Sequence, residues 1–510
     1  MTRPQFLSAS EAIRLIPNWA VLGTGGFVGC GQAEELAAAL EQRFLTTNEP
    51  RGLTLVFAAG QGDGKLRGLN HLGHEGLLKR VIGGHWNLVP SLAKLAIEGK
   101  IEAYNFPQGV VSKLFREAAS GNPGMLSRVG PGTFVDPKNG GGKIGDLTSE
   151  DLVAQMTIDG VEMLWYRAPK ISAALLRGTS SDSCGNISME HETITGEMLA
   201  IAQAARRNGG PVIVQVERIV PDHSRDPKSI RIPGIFVDAV VVAAAENHWQ
   251  TYDGAFNASY VRQGAVTMAD LQPLPLGPRR WIAARCLEEL RAGDVVNLGI
   301  GMAEGMAPLA CEKGLLDSVT LTVEAGPIGG VPAGGLSFGS SFHPEAIIDQ
   351  PSMFDFYDGG GLDVAFLSMA ECDAEGNVNV SRYGGRMPGI GGFMNIAHTA
   401  KRVVFLGTFT AGGFEAEFAE GRMRILREGS SRKFVRRVEQ VSFSAATALR
   451  NGQQIMYVTE RAVFRLTPAG LTLVEVAAEI DLSRDVFGQM GFRPEVASDC
   501  RIMAPRFYSV

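Results

Sequence analysis

What most limits how this chain can fold is a pattern it carries twice. Gly29, Gly31, Ala33 and Glu34 recur 270 positions later as Gly299, Gly301, Ala303 and Glu304. Thr54, Leu55, Ala59, Gly60 and Gly64 recur at an offset of 266 as Thr320, Leu321, Ala325, Gly326 and Gly330, and Asp182, Gly185 and Asn186 at an offset of 191 as Asp373, Gly376 and Asn377. The order is kept while the spacing contracts. Two related units are therefore expected, the first with extra loop between its second strand and Ile171. In each, an apolar run enters a glycine loop: Ala20 to Leu22 into Gly23-Thr24-Gly25-Gly26, and Asp294 to Leu298 into Gly299 to Gly305. A helix over Gln32 to Phe44 is predicted from Leu36, Leu40 and Phe44, and further buried strands at Leu53 to Ala58, Ile101 to Asn105, Ile171 to Leu176, Val212 to Val216 and Asp238 to Ala245. Thr193 to Arg207 and Arg280 to Leu290 read as helices, and the glycine- and proline-rich Gly121 to Gly145 as a long loop over the sheet. The fold expected is α/β: two open-sheet domains from an internal duplication, residues 1–250 and 280–510. The linker between them, 251–279, contains QPLPLGP, which sustains neither helix nor strand. A chain of 510 residues is long enough for two cores.

The second unit contains the most chemically suggestive stretch, VTLTVEAGPIGGVPAGGLSFG from Val319 to Gly339. A β-branched run that ends at Glu324 and breaks at Gly326, Gly329 and Gly330 reads as a buried strand delivering one acid to a glycine-lined cavity. Open α/β sheets keep ligands at the carboxyl ends of their strands, and Gly329 and Gly330 would let a bulky substrate approach the backbone. A glutamate before such a loop can equally cap a helix or solvate a turn. The duplication bears on this choice, because Ala58 stands where the second copy has Glu324. One acid between two similar halves suggests that the second holds a nucleophile and the first closes the pocket over it.

Composition excludes several classes. A net charge of −6 without charge blocks gives no footprint for nucleic acid, and no run of 18 apolar residues suggests a membrane span. The N-terminus lacks a signal-peptide core, and the six cysteines fall in no paired spacing, so a cytoplasmic protein with reduced thiols is expected. His71, His74 and His85 lie near Glu75, but the spacing offers no i, i+4 helical pair, and no metal is assigned. A dinucleotide fingerprint starting at Gly23 fails because Val28 occupies its last position. The Gly25-Gly26-Phe27 loop is read instead as an anion- or substrate-binding turn.

Several motifs together are more specific. Glu324-Ala325-Gly326-Pro327-Ile328-Gly329-Gly330, Arg382-Tyr383-Gly384-Gly385 and Gly389-Ile390-Gly391-Gly392-Phe393-Met394-Asn395 stand in the second half. Gly25 to Gly29, Ala58 to Gly64, Gly83-Gly84-His85-Trp86 and Phe106-Pro107-Gln108-Gly109 stand in the first. With these the chain resembles the family I CoA-transferases, close to the acetate/propionate and 3-oxoacid branch, over nearly its whole length. Ala325 replaces an expected serine, and His343 an expected asparagine.

The resemblance implies that Glu324 is the nucleophile of a ping-pong CoA transfer. Gln108 and the amides of Gly391 or Gly392 would stabilise the oxyanion, with Gly299, Gly301 and Gly305 close to the pantetheine arm. It implies coenzyme A as substrate with no permanently bound cofactor, small acyl-CoA and carboxylate partners, and a homo-oligomer, dimer or tetramer. Two other readings stay open on the sequence. A sugar-phosphate isomerase or deaminase would use Glu324 as a general base but would want basic residues for phosphate near it. A ligand-sensing domain would bring a basic helix-turn-helix, which neither terminus offers.

Overall fold

The computed structural model describes residues 3–508 apart from 272, 420 and 421; Gln272 of the linker lies outside the described residues. Two large sheets organise the chain. In the first half, β1 (Val21–Thr24), β2 (Leu53–Phe57), β3 (Leu78–Gly83), β4 (Glu102–Asn105), β5 (Ala173–Arg177), β6 (Val212–Val216) and β7 (Ala239–Val242) lie in the order β7-β6-β5-β1-β2-β3-β4, all parallel. Gln5–Phe6 and Lys143–Ile144 complete its edges. In the second half, β8 (Val295–Leu298), β9 (Thr320–Thr322), β10 (Val364–Ser368), β11 (Arg402–Leu406) and β12 (Gln454–Val458) form the parallel order β9-β8-β10-β11-β12.

The order β2-β1-β5-β6-β7 matches β9-β8-β10-β11-β12 strand for strand, which bears out the duplication. The register agrees too, since Val21 pairs with Thr54 as Val295 pairs with Thr320. Even a turn is repeated. The Asn186 N–H donates to Asp182 Oδ1 as the Asn377 N–H donates to Asp373 Oδ1, both at 2.9 Å.

The extra length in the first half holds β3 and β4 and a small three-stranded antiparallel sheet, Gly124–Ser127, Val153–Ile158 and Val161–Arg167. Part of the expected long loop is therefore strand. Tyr166 decides this, because it is fully buried beneath that sheet and donates its hydroxyl to the Val129 carbonyl at 3.0 Å. The helices include α1 (Glu34–Thr47), α2 (Gln108–Ser120), α3 (Met198–Arg207), α4 (Gln350–Asp358) and α5 (Phe393–Thr399). The helix expected from Thr193 starts only at Met198, because Gly196 has a left-handed φ of 51° that interrupts it.

The linker is not a passive tether. Tyr252 donates its hydroxyl to Glu34 Oε2 (2.6 Å), Thr251 meets Ser337 hydroxyl to hydroxyl (2.9 Å), and Gln263 donates to the Glu345 carbonyl (2.9 Å). One apolar core runs through both halves, with Phe115 and Val214 from the first and Phe354, Leu367 and Phe405 from the second buried. No helix among the described residues is long and apolar enough to cross a membrane.

Candidate active site

Glu324 lies two residues past the end of β9, at the carboxyl edge of the second sheet, and is 7% exposed. Asn297 of the neighbouring strand β8 is fully buried and donates its amide to Glu324 Oε2 at 3.3 Å. Behind it, the Tyr357 hydroxyl donates to Thr322 Oγ1 at 2.8 Å. Burial raises the Glu324 pKa above its ordinary value, while its own backbone N–H and the Asn297 amide pull it back. The carboxylate is thus kept poorly solvated and directed by one side chain.

The second wall comes from a strap, residues 388–392, laid across the strand ends of the first half. The Trp86 N–H donates to the Pro388 carbonyl (2.7 Å), and Ile390 N–H to Asn105 Oδ1 (3.0 Å). Gly391 N–H donates to the Gly84 carbonyl, and Gln108 N–H to the Gly391 carbonyl, both at 2.9 Å. This pins Gly392 against the acid: a β-carbon there would lie 3.3 Å from both Glu324 Cγ and Oε1. Gln108 opens α2 beside Gly391. It is 2% exposed, and its amide nitrogen has no partner among the described residues. A buried, unpaired N–H donor costs free energy unless something else accepts from it, which suits an oxyanion or a substrate carboxylate.

The first half of the chain, residues 6–243, matches the family model described as coenzyme A transferase. Over 511 aligned residues the chain is 42% identical to the acetate CoA-transferase YdiF of Escherichia coli O157:H7, covering 99% of this chain and 95% of that protein. It is also 42% identical to the caffeate CoA-transferase of Acetobacterium woodii, covering 99% and 97%. The crystal structure of the Escherichia coli O157:H7 acyl-CoA transferase YdiF in a thioester complex with CoA aligns with a TM-score of 0.94 at 41% identity, covering 99% of this chain and 96% of that one. The chain belongs to the coenzyme A transferase family.

In this transferase four of the expected site residues, Glu324, Gln108, Gly391 and Gly392, meet at the junction of the two sheets. One role changes. The Gly391 N–H is already committed to Gly84, so Gly391 holds the strap, and of the expected donors the Gln108 amide and the Gly392 N–H are the ones without a partner among the described residues. Gly301 lies at the open end of β8, with only Ser368 Oγ, at 3.5 Å, near a β-carbon there, whereas a β-carbon at Gly299 would meet Leu367 Cδ2 at 3.0 Å.

The remaining glycines make room for protein. A β-carbon at Gly25 would meet Met198 Sδ at 2.6 Å, and one at Gly26 would meet Gln32 Nε2 at 2.6 Å. Phe27 is buried against Phe338, their centroids 5.7 Å apart, as part of the contact between the halves. A β-carbon at Gly305 would lie 2.9 Å from Leu274 and one at Gly329 2.7 Å from Glu345, and one at Gly330 would collide with the Phe342 carbonyl. The sequence put these five glycines, and Phe27 between two of them and Gly29, near substrate because glycine marks any close approach, whether by a ligand or by another chain segment.

Three residues of the transferase site were not singled out for it. Asn297 occupies the register position held in the first half by Gly23, so each half has either Asn and Glu or Gly and Ala. His85 is separate from His71 and His74, which share the Glu41 carboxylate. Its ring instead fills the space beside Gly60 and Gly391, and burial pulls its pKa down to about 4, leaving it neutral at pH 7. Val28 has a φ of 53°, a left-handed backbone that a β-branched residue rarely adopts. Its N–H donates to the Gly60 carbonyl at 2.6 Å, and it packs in the small cluster that contains Ala325.

Proposed function

We propose that this CoA-transferase moves CoA from a short-chain acyl-CoA to a free carboxylic acid, such as acetate, propionate or a 3-oxoacid, through a glutamyl-CoA thioester on Glu324. The observation that carries this reading is a buried carboxylate without an ion pair, Glu324, from one half and an amide of the other, Gln108, without a partner among the described residues, brought to the same place by the Gly391-Gly392 strap. The relatives' CoA-transferase activity and the thioester complex of one of them support it.

The Glu324 carboxylate attacks the thioester carbonyl, and collapse of the tetrahedral oxyanion expels CoA thiolate to leave an acyl-glutamyl anhydride. The thiolate attacks the glutamyl carbonyl, releasing the first carboxylate and leaving CoA on Glu324. The second acid then runs both steps backwards. Each oxyanion forms where Gln108 and the Gly392 N–H can donate, and the strap keeps out water that would hydrolyse the anhydride.

The same reading divides the chain into domains 1–250 and 280–510 with the linker 251–279, acting as a cytoplasmic dimer or tetramer; sedimentation of the purified protein tests the assembly. The chemistry is tested by incubation with acyl-CoA and no acceptor, followed by borohydride. A reduced side chain at Glu324, with inactivation, is expected. Loss of transfer in Glu324→Ala without any adduct on the wild type would instead indicate a general base.

A further inference from the structure

The helices α2 and α4 both begin with a glutamine, Gln108 and Gln350. Each donates its N–H across the junction to a glycine carbonyl of the other half, Gln108 to Gly391 at 2.9 Å and Gln350 to Gly196 at 3.3 Å. The two glycines are left-handed alike, with φ of 53° and 51°. Each opens the same pattern, since Gly391-Gly392-Phe393-Met394-Asn395-Ile396-Ala397 into α5 stands 195 positions after Gly196-Glu197-Met198-Leu199-Ala200-Ile201-Ala202 into α3. The ion pairs between α2 and α4 obey the same exchange: Lys113 meets Asp358 at 2.5 Å, and Arg116 meets Asp355 at 2.9 Å. The halves are thus docked about an approximate twofold, and the place where one side has Glu324, Asn297 and Gln108 has a counterpart with Ala58, Gly23 and Gln350. What both places share builds the junction. What only the first has is a candidate for the chemistry.

One such departure is a hydrogen bond. Asn395, fully buried in the first turn of α5, accepts from the Gly109 N–H at 3.1 Å, and its amide donates to both oxygens of Asp358, at 3.0 and 3.2 Å. Its neighbours fix which way the amide faces, because a backbone N–H only donates and an ionised carboxylate only accepts. In the other half both partners are gone together: Pro351 stands for Gly109 and has no N–H, and Ala200 stands for Asn395 and has no acceptor. Gly109 is also needed for the approach, since a β-carbon there would lie 2.6 Å from Asn395 Nδ2.

The bond acts on the end of the helix that presents Gln108. The first N–H groups of a helix have no partner within it, and Pro107 before α2 supplies no capping side chain. The Gly391 carbonyl takes the first of them and Asn395 the second, so the turn bearing Gln108 is tied twice to the segment bearing Gly392. Asp358 closes the ring, because Lys113 of α2 holds it from the other side.

We propose that Asn395 is a positioning residue for CoA transfer, which sets the Gln108 amide against the Gly392 N–H by fastening the first turn of α2 to α5. This rests on the reading that Gln108 donates to the oxyanion.

The test reads kcat and KM in variants of the full chain. Asn395→Ala should lower kcat about tenfold to a hundredfold and leave the KM for acyl-CoA within about twofold, since an oxyanion donor displaced by about 1 Å fails mainly in the transition state. In a Gln108→Ala background the same change should cost less than about twofold more, because the group it positions is already gone. Asn395→Asp alone sets two carboxylates against each other. Combined with Asp358→Asn it exchanges donor and acceptor, leaves an oxygen for the Gly109 N–H, and should bring kcat back to within about threefold of wild type. An unchanged kcat in Asn395→Ala, losses that multiply fully with that of Gln108→Ala, or an exchange variant no better than Asn395→Asp would overturn the proposal. Should Asn395→Ala not fold, the exchange variant decides. Gln108→Ala keeps the two readings apart: an unimpaired Gln108→Ala rejects the oxyanion donor, whereas an impaired one beside an unimpaired Asn395→Ala rejects only the positioning role.

Discussion

At the scale of single residues, the poise of Glu324 sets the pH behaviour. A nucleophilic carboxylate must be ionised, and burial raises its pKa. Activity should therefore fall, as pH is lowered, through a value above the ordinary glutamate pKa of about 4.3. Asn297→Ala removes a donor that favours the charged form, so the acid limb of kcat/KM should move to still higher pH. A limb that stays in place would remove Asn297 from the site. Gln108→Ala should lower kcat on the order of 10²-fold with little change in the KM for acyl-CoA, because an oxyanion donor acts mainly in the transition state; steady-state kinetics with both substrates varied reads this split. Glu324 and Gln108 were legible in the sequence because glycine and proline punctuation sets them apart. Asn297 was not, since an asparagine inside an apolar strand gains its meaning only from the register that puts it beside Thr322.

At the scale of elements, α2, α3 and α4 converge on a second buried carboxyl. Glu197, the residue before α3, accepts from the Gln350 amide of α4 at 2.5 Å, and the Ser112 hydroxyl of α2 lies close enough to favour its charged form. Burial is the main cause that raises its pKa to about 7. The folded value lies above the unfolded one, so the stability this group contributes is complete below about pH 4.5 and is lost as pH rises through about 7. Glu197→Gln, which stays neutral, should therefore stabilise the protein at pH 8, by at most about 3 kcal/mol, and not at pH 5. Urea unfolding at the two pH values checks the sign, and equal effects at both would remove the linkage. The elements themselves were mostly legible, because strands covered on both faces write continuous apolar runs such as VIVQV at Val212–Val216. The strand Gly124–Ser127 was hidden by its glycine and proline neighbours, and its pairing with Val161–Arg167 depends on contacts distant in sequence.

At the scale of the whole molecule, the duplication was readable from offsets alone, whereas the way the halves dock was not. Docking depends on backbone groups, such as the Gly84 carbonyl and the Gly391 N–H, whose pairing leaves no mark on residue type. Residues 280–510 expressed alone keep Glu324 and Asn297 but lose Gln108 and everything the strap rests on. That fragment should show no transfer and no borohydride-sensitive label; full activity would mean that the first half is dispensable. The strap also carries a consequence for the protein while it is being made. Asn105 and Ile390, which it joins, are 285 residues apart, so the ribosome completes the first sheet long before the segment that closes the pocket exists. A truncated or half-finished chain is therefore chemically silent. It holds no assembled pocket in which a reactive anhydride could form and be squandered on water, and the energy stored in the cell's thioesters is handled only by molecules finished past the strap.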